Sequence, residues 1–108
     1  MSSYFVYMLR CSDDSIYTGI AADLKRRLRE HMEGSAKCAK YTRSHPPERL
    51  EAAWECRSKG DALRLEYRIK QLSRRQKLLL IKENDLSFCE KPELYKRTDT
   101  AEYDIFAK

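Results

Sequence analysis

Glu66 is the residue of this sequence that most clearly requires a chemical partner. It is the only acid between residues 64 and 82, a stretch with seven basic residues, and helical spacing puts it beside an apolar stripe. One partner that would balance its charge is a neighbouring lysine or arginine in an ordinary ion pair. Another is a hard divalent cation such as Mg²⁺, held by one carboxylate together with substrate phosphate and water. The pattern leaves both partners open.

Arg27 and His31 form a second pair, one helical turn apart. The helix around them has a predicted buried stripe at Leu24, Leu28 and Met32. Both Arg27 and His31 fall along one border of this stripe, so we expect them to flank the core while their basic neighbours meet water. A solvated helix edge is the ordinary role of such a pair. Its occurrence together with Glu66 favours a functional site.

Tyr7 and Tyr17 lie on two segments that are typical of the strands of one hairpin, Tyr4–Cys11 and 16–20. The residues between the segments, 12–15, have turn chemistry. Side chains alternate along a strand, so a loop with an even number of residues would put the two rings on opposite faces of the sheet. A site shared by both tyrosines would then fail, so we predict an odd-length loop or a bulge around residues 12–15 that brings both rings to one face. Packing is the more common role of a strand tyrosine.

A basic loop and a basic helical segment are candidates for contact with a nucleic acid. Segment 37–45, KCAKYTRSH, contains no acid and interleaves cations with Tyr41. Cations can follow a phosphate backbone while an aromatic ring stacks on an unpaired base. The residues assigned to this contact are Lys37, Lys40, Tyr41, Arg43, Arg68, Lys70 and Arg74. For each of them an ordinary solvated surface is the alternative.

Size and charge predict one domain with an acidic extension. The chain has 108 residues, of which 42 % are hydrophobic and 36 % charged, which is typical of a globular protein. Residues 1–82 hold 18 basic and 10 acidic side chains, a balance of +8, while residues 83–108 have a balance of −3. We predict a domain over 1–82 and an extension over 83–108 that packs on it or trails from it. The basic body favours a polyanionic partner.

Several classes of protein are excluded by composition. The apolar runs, such as 78–81, are far too short to span a membrane, and the N-terminus lacks the pattern of a signal peptide. The four cysteines form no CxxC pair, which argues against a zinc knuckle or a thioredoxin-like motif and indicates reduced, mostly structural thiols. We therefore expect a cytoplasmic protein.

Local signals arrange the chain in the order ββαβαα. The predicted strands are 4–11, 16–20 and 49–56, and the predicted helices are 24–33, 59–72 and 74–82. The predicted N-caps are Asp23, Ser58 and Ser73, and Gly34 is the expected end of the first helix. On the third strand Leu50, Ala52, Trp54 and Cys56 are expected on one face, with Glu51 and Glu55 on the other. This order predicts a small α+β domain with a central three-stranded antiparallel sheet flanked by helices.

Four separated positions, in order, resemble the GIY-YIG nuclease superfamily, in particular its small stand-alone bacterial members. The two tripeptides of the family name correspond to Phe5-Val6-Tyr7 and Tyr17-Thr18-Gly19. The family arginine matches Arg27, eight residues after the second tripeptide, and the family glutamate matches Glu66. The resemblance covers residues 4 to about 82. It departs from the family in the missing leading glycine and isoleucines, and in an active-site asparagine, since the sole asparagine, Asn84, lies beyond the matched region.

The resemblance implies a phosphodiesterase that uses one metal ion, Mg²⁺ or Mn²⁺. Glu66 would hold the metal, and Arg27 would donate hydrogen bonds to the phosphoryl oxygens. Tyr7 or Tyr17 would orient or deprotonate the attacking water, with His31 assisting in positioning or proton transfer. The sequence does not choose among the last three. We expect a DNA endonuclease that acts in repair, recombination or uptake, with a preference for single-stranded or branched DNA. The alternative is a nucleic-acid-binding module that cleaves little.

Overall fold

The computed structural model of the protein describes residues 3–33, 41 and 44–103. The strands are β1 (Tyr4–Cys11), β2 (Ile16–Ala21), β3 (Pro47–Cys56) and β4 (Lys96–Arg97). The α-helices are α1 (Leu24–Glu33), α2 (Lys59–Gln71) and α3 (Arg74–Glu83). Two short 3₁₀ turns, Pro92–Leu94 and Thr100–Glu102, follow α3. The prediction of a small α+β fold with an antiparallel sheet flanked by helices is confirmed.

The described sheet has four strands in the order β2-β1-β3-β4, all antiparallel, rather than the three that the sequence predicts. The additional strand, β4, consists of two residues and pairs Arg97 with Trp54 and Lys96 with Glu55. A strand of this length carries no alternation of apolar and polar residues, so periodicity could not reveal it. Its partner β3 is thereby covered along one edge.

The β1–β2 hairpin has the odd-length loop that a shared tyrosine site requires. Three residues, 12–14, lie between Cys11 and Ser15, and the backbone N–H of Cys11 donates to the carbonyl oxygen of Ser15 at 2.9 Å. Asp14 is in the left-handed region with φ 70°, as expected at the last position of such a loop. Tyr7 therefore pairs with Gly19, and Tyr17 pairs with Leu9. Both tyrosines lie on one face, so the prediction is confirmed.

A bulge in β3 corrects the predicted faces of that strand. Leu50 pairs with Leu9, but Ala52 pairs with Met8, so Glu51 is an extra residue in β3. Leu50 consequently lies on the same face as Leu9, opposite to Ala52 and the rest of the apolar set. The prediction that Leu50 and Ala52 share a face was wrong because alternation holds only along a strand without a bulge.

Side chains from the two faces of the sheet form two separate cores. The α2 face is covered by α2 and α3, and its buried members include Val6, Met8, Ala52, Trp54, Ala62, Leu65, Ile69 and Leu80. The α1 face is covered by α1, and its buried members are Tyr7, Leu9, Ala21, Leu24, Leu28, Leu50 and Ala53. Residues after α3 add to both cores, because Leu86 and Cys89 are buried on the α2 face and Tyr103 packs on the α1 face.

All three predicted N-caps form the expected hydrogen bonds. The carboxylate of Asp23 accepts from the backbone N–H of Arg26 at 3.2 Å, and the Ser58 hydroxyl accepts from the backbone of α2 at 3.1 Å. Ser73 and Gln76 form a reciprocal capping box at the start of α3. The caps fix where α1 and α2 begin, and therefore which side chains these helices direct at the sheet.

Candidate active site

Tyr7 is the centre of a buried polar cluster on the α1 face. Its side chain is fully buried, and its hydroxyl lies 2.7 Å from Nε2 of His31. The guanidinium of Arg27 also donates a hydrogen bond to the phenol oxygen. Burial is the main influence on the pKa of Tyr7 and raises it; Tyr17 and, to a smaller extent, the charge of Glu66 raise it further, whereas Arg27 lowers it. Tyr7 therefore stays protonated at neutral pH.

Gly19 is required for the position of the Tyr7 ring. A Cβ atom at this position would lie 2.7 Å from the hydroxyl oxygen of Tyr7 and 3.0 Å from the ring of Tyr17. Such distances are well inside van der Waals contact, so any side chain here would push the phenol out of its place. The glycine of the second tripeptide thus lets the ring of one tyrosine lie across the backbone of the other strand.

His31 is buried, which corrects the predicted stripe of α1. It is 1 % exposed, whereas Met32 is 44 % exposed, so the buried stripe is Leu24, Leu28 and His31. Burial, and secondly the charge of Arg27, lower the pKa of His31 to about 4. The imidazole is therefore neutral at physiological pH and can accept the Tyr7 proton in its hydrogen bond. That bond satisfies a polar group that the periodicity of the helix predicts at the border of the buried stripe.

Tyr17 is the more accessible of the two phenols. It is half-buried, and its ring centroid lies 6.3 Å from that of Tyr7 and 5.5 Å from that of His31. The ring of Tyr41 also stacks on Tyr17, with centroids 5.8 Å apart, and His45 stacks on Tyr41 at 4.0 Å. Tyr17 thus connects the buried cluster to an aromatic stack at the surface.

Arg27 and Glu66 are the charged members of the site, and both are half-buried. Arg27 is bonded to Glu30 of the next helical turn, with Nη1 to Oε1 at 2.9 Å, in addition to Tyr7. Glu66 lies on α2, which also packs against β2, and its Oε2 is 3.3 Å from Nζ of Lys70. The sequence leaves two kinds of partner open for Glu66, a basic side chain or a divalent cation. The structure contains the basic partner, Lys70. The carboxylate is linked to the phenol cluster through its electrostatic effect on Tyr7.

The donor set suits Mg²⁺ better than a metal that needs several protein ligands. Within residues 3–33, 41 and 44–103 there is no group of three or more histidine, cysteine, aspartate or glutamate side chains that could hold a metal ion. Mg²⁺ is commonly bound through one or two carboxylates, with its remaining ligands from water and substrate phosphate. A single half-buried carboxylate, Glu66, fits that pattern.

Three of the predicted nucleic-acid contacts are paired with acids of the protein. Arg68 lies 3.8 Å from Glu90 and Arg74 lies 2.9 Å from Asp14, both measured between Nη2 and a carboxylate oxygen, and Lys70 pairs as described above. All three cations are exposed. Exposed pairs of this kind are weak, so these side chains can exchange their partners for phosphate groups.

The basic loop is described only in part. Tyr41 is 38 % exposed and lies in the stack beside Tyr17, so this predicted contact adjoins the candidate site. The other predicted contacts of the loop, Lys37, Lys40 and Arg43, lie outside the described residues.

Three residues of the site were not assigned from the sequence: Gly19, Glu30 and His45. The position of Gly19 opposite Tyr7 follows from an odd loop in the hairpin and could have been derived with it. Glu30 follows Arg27 by three residues, a spacing that commonly gives an ion pair on a helix. His45 carries no such signal, because its stacking on Tyr41 depends on the path of the loop.

Asn84 has a structural role. It ends α3 in the left-handed conformation with φ 53°, and its side-chain oxygen accepts a hydrogen bond from Nε1 of Trp54 at 2.8 Å. This bond ties the end of α3 to the α2 face, away from the tyrosine cluster. The structure therefore gives no reason to place Asn84 in the site.

Comparison with known proteins identifies the class to which this fold and site belong. A family model described as the GIY-YIG catalytic domain matches residues 3–79. The chain therefore belongs to the GIY-YIG family, as the resemblance predicts. Members of this superfamily are in general endonucleases that act on DNA with a divalent metal ion.

Its relatives are small bacterial proteins. The chain is 48 % identical over 79 residues to a UPF0213 protein of Halalkalibacterium halodurans, which covers 73 % of this chain and 82 % of that protein. It is 45 % identical over 83 residues to a UPF0213 protein of Staphylococcus aureus strain N315, with 77 % and 99 % covered. The solution NMR structure of the UPF0213 protein from Bacillus halodurans matches at a TM-score of 0.51 and 43 % identity, over 80 % of this chain and 89 % of that one.

The described helices contain no span long and apolar enough to cross a membrane.

Proposed function

We propose that the protein is a metal-dependent endonuclease that hydrolyses phosphodiester bonds of DNA. The observation that carries this assignment is the cluster around Tyr7. The phenol bonds to an imidazole and a guanidinium, lies close to a second phenol, and is within electrostatic reach of a half-buried carboxylate. These are the groups needed to orient a water molecule, neutralise phosphoryl oxygens and hold a divalent cation. Membership of the GIY-YIG family supports the same assignment.

Arg27 and Glu66 have distinct roles in this assignment. Arg27 donates hydrogen bonds to the phosphoryl oxygens, for which a planar guanidinium is well shaped, and its 2.9 Å bond to Glu30 orients it. Glu66 is the residue that holds Mg²⁺, or Mn²⁺ in its place. The metal, when bound, supplies a Lewis acid that polarises the phosphate and stabilises the leaving oxygen.

The difference in burial between the two tyrosines suggests which one acts on water. Tyr7 is fully buried, and its hydroxyl is hydrogen-bonded to His31. Tyr17 is half-buried, so a water molecule beside the scissile phosphate can reach its hydroxyl. We therefore assign Tyr17 to orient or deprotonate the attacking water, with Tyr7 and His31 as residues that position Tyr17 and Arg27.

The surface around Tyr17 favours DNA with unpaired bases. Tyr41 stacks on Tyr17 and His45 stacks on Tyr41, and a partly exposed aromatic stack of this kind offers a platform for a base. The exposed cations Lys70 and Arg74 would follow the backbone, with Lys37, Lys40 and Arg43 of the loop. Arg68 is about 200° around α2 from Glu66 and pairs with Glu90, so it contributes only to a longer DNA track. Single-stranded or branched DNA meets this description, which fits a role in repair, recombination or uptake.

The buried free thiols Cys11, Cys56 and Cys89 fit a cytoplasmic protein.

A nucleic-acid-binding module that does not cleave is the second candidate. The ion pair between Glu66 and Lys70 at 3.3 Å favours it, because a carboxylate whose charge is balanced by a lysine requires no other cation. Cleavage distinguishes the two candidates.

The test is an assay of labelled single-stranded, duplex and branched DNA with Mg²⁺, Mn²⁺ or EDTA. We expect cleavage only with metal, and a loss of at least about a hundredfold in Glu66→Gln. Glu83→Gln, an exposed change of the same kind at the end of α3, is the matched control and should cleave normally. Cleavage that persists in Glu66→Ala would identify a contaminant, and tight binding without cutting would establish the module.

A further inference from the structure

Each of the two charged groups of the candidate site has an oppositely charged partner one turn further along its own helix. On α1, Arg27 pairs with Glu30 at 2.9 Å, three residues later. On α2, Glu66 pairs with Lys70 at 3.3 Å, four residues later. The signs are opposite in the two helices. A carboxylate therefore lies against the group proposed to bind phosphate, and an ammonium lies against the group proposed to bind a divalent cation.

The burial of these side chains distinguishes them from ordinary surface pairs. The Glu30 and Glu66 side chains are only 17 % and 18 % exposed, and that of Arg27 is 26 % exposed. A charge that is partly removed from water interacts more strongly with an approaching ligand than a fully solvated one does. Lys70 is 51 % exposed, so its long side chain can swing away from Glu66 into solvent. The carboxylates are thus held in place, and the lysine is free to move.

Resting on the function proposed above, we propose that Glu30 and Lys70 are built-in counter-ions that compete with substrate phosphate at Arg27 and with the metal at Glu66, respectively. The carboxylate of Glu30 is an anion already bound to the guanidinium of Arg27. A substrate phosphate that binds Arg27 must therefore displace this carboxylate. Lys70 repels a divalent cation that approaches Glu66. The lysine ammonium must therefore move away from the carboxylate when the cation binds. Once displaced, Lys70 can contact the DNA backbone, which is the role that the sequence analysis predicts for it. Both residues then set the ligand affinity of the site.

A third pair on α2 provides an internal reference. Arg64 and Asp61 form an ion pair at 2.8 Å with the same i, i+3 spacing as the pair on α1. Helical geometry puts Arg64 about 200° around α2 from Glu66. Loss of the Arg64 charge therefore matches loss of the Lys70 charge in sign and helix, but not in distance from the carboxylate.

The metal arm of the test measures Mn²⁺ binding by calorimetry without DNA. We expect Lys70→Met to bind Mn²⁺ about fivefold more tightly than the wild type, while Lys70→Arg and the control Arg64→Met stay within about twofold. Binding should disappear in Glu66→Gln. Equal affinity in Lys70→Met and Arg64→Met would overturn the role of Lys70 alone. A complete lack of Glu66-dependent binding would overturn it together with the proposed metal-dependent function.

The phosphate arm measures binding of a fluorescent oligonucleotide by anisotropy in EDTA. We expect Glu30→Gln to bind about three- to fivefold more tightly than Glu33→Gln, an exposed change of equal charge at the end of the same helix. Equal or weaker binding by Glu30→Gln would overturn the role of Glu30. Neither arm measures cleavage, so a protein that binds DNA but does not cut it would still give these shifts in affinity. Failure of the counter-ion proposal can therefore be distinguished from failure of the proposed nuclease function.

Discussion

The two faces of the sheet use the same strands for different purposes. Alternate residues of β1 point to opposite sides, so that Val6 and Met8 enter the apolar core of the α2 face while Tyr7 enters the α1 face. On the α2 face the largest buried side chain is Trp54. On the α1 face Tyr7 and His31 are buried against one another through a hydrogen bond. The α2 face is therefore stabilised mainly by burial of apolar surface. In the core of the α1 face, part of the buried volume is occupied by polar groups that can take part in catalysis.

The largest effect that separates the faces is expected on the α2 face. Trp54 is fully buried, bonds to Asn84 and has the Arg97 guanidinium over its ring at 5.1 Å. We expect Trp54→Ala to lower the free energy of unfolding by about 3–5 kcal/mol, measured by urea denaturation. Tyr67→Ala, at a side chain that is 67 % exposed, is the control and should change it by less than about 1 kcal/mol. Similar losses in both variants would show that the α2 face is not the main source of stability.

The next effect concerns pH and the α1 face. The pKa of His31 is about 4 in the folded protein, against about 6.5 when unfolded. Below pH 6.5 the unfolded chain therefore binds a proton that the folded chain does not. Stability should fall as the pH is lowered from 6.5 to 4, by about 2–3 kcal/mol in all. Urea titrations across this range should show the decline in the wild type and a smaller one in His31→Asn. A parallel decline in both would mean that His31 is not the group responsible.

A smaller effect on stability, with a larger one on function, is expected at Gly19. Gly19→Ala should displace the Tyr7 ring and cost about 1–3 kcal/mol, because the added Cβ meets the phenol at 2.7 Å. Gly60→Ala is the matched control, since the nearest atom to its added Cβ is 3.8 Å away. It should leave the melting temperature unchanged or raise it slightly. Normal melting and cleavage in Gly19→Ala would show that the close approach of Tyr7 to β2 is unnecessary.

The elements of the fold could be predicted where their signals are local. Asp23, Ser58 and Ser73 form helix caps with residues three positions away, and the odd loop was predicted from the hypothesis that the two tyrosines serve one site. The bulge at Glu51 could not be predicted, because it depends on which residues of β1 lie opposite. Strand β4 was missed because two residues carry no periodicity.

The residues of the site could be predicted better than their surroundings. Tyr7, Tyr17 and Arg27 were assigned because their order along the chain resembles a family motif, and the structure brings them together. His31 was expected at a border and is buried instead. A helical wheel considers only the hydrophobicity of residues on the helix. It does not include the Tyr7 hydroxyl on β1, whose hydrogen bond allows the imidazole to be buried. Helical spacing allows the ion pairs Arg27–Glu30 and Glu66–Lys70, but which of the possible partners each charge takes depends on side-chain conformation, which the sequence does not fix.

The central claim is that the polar cluster of the α1 face, together with Glu66 of α2, performs hydrolysis while the apolar core of the α2 face supplies stability. Single-turnover cleavage and thermal melting, measured together on Arg27→Lys and Ile69→Val, test it most directly. We expect Arg27→Lys to melt like the wild type and to cleave DNA at least about tenfold more slowly, because a lysine cannot reproduce the two-point contact of a guanidinium with phosphate. Ile69→Val should lose about 0.5–1.5 kcal/mol of stability and cleave normally below its melting temperature. Normal cleavage by Arg27→Lys would contradict the account.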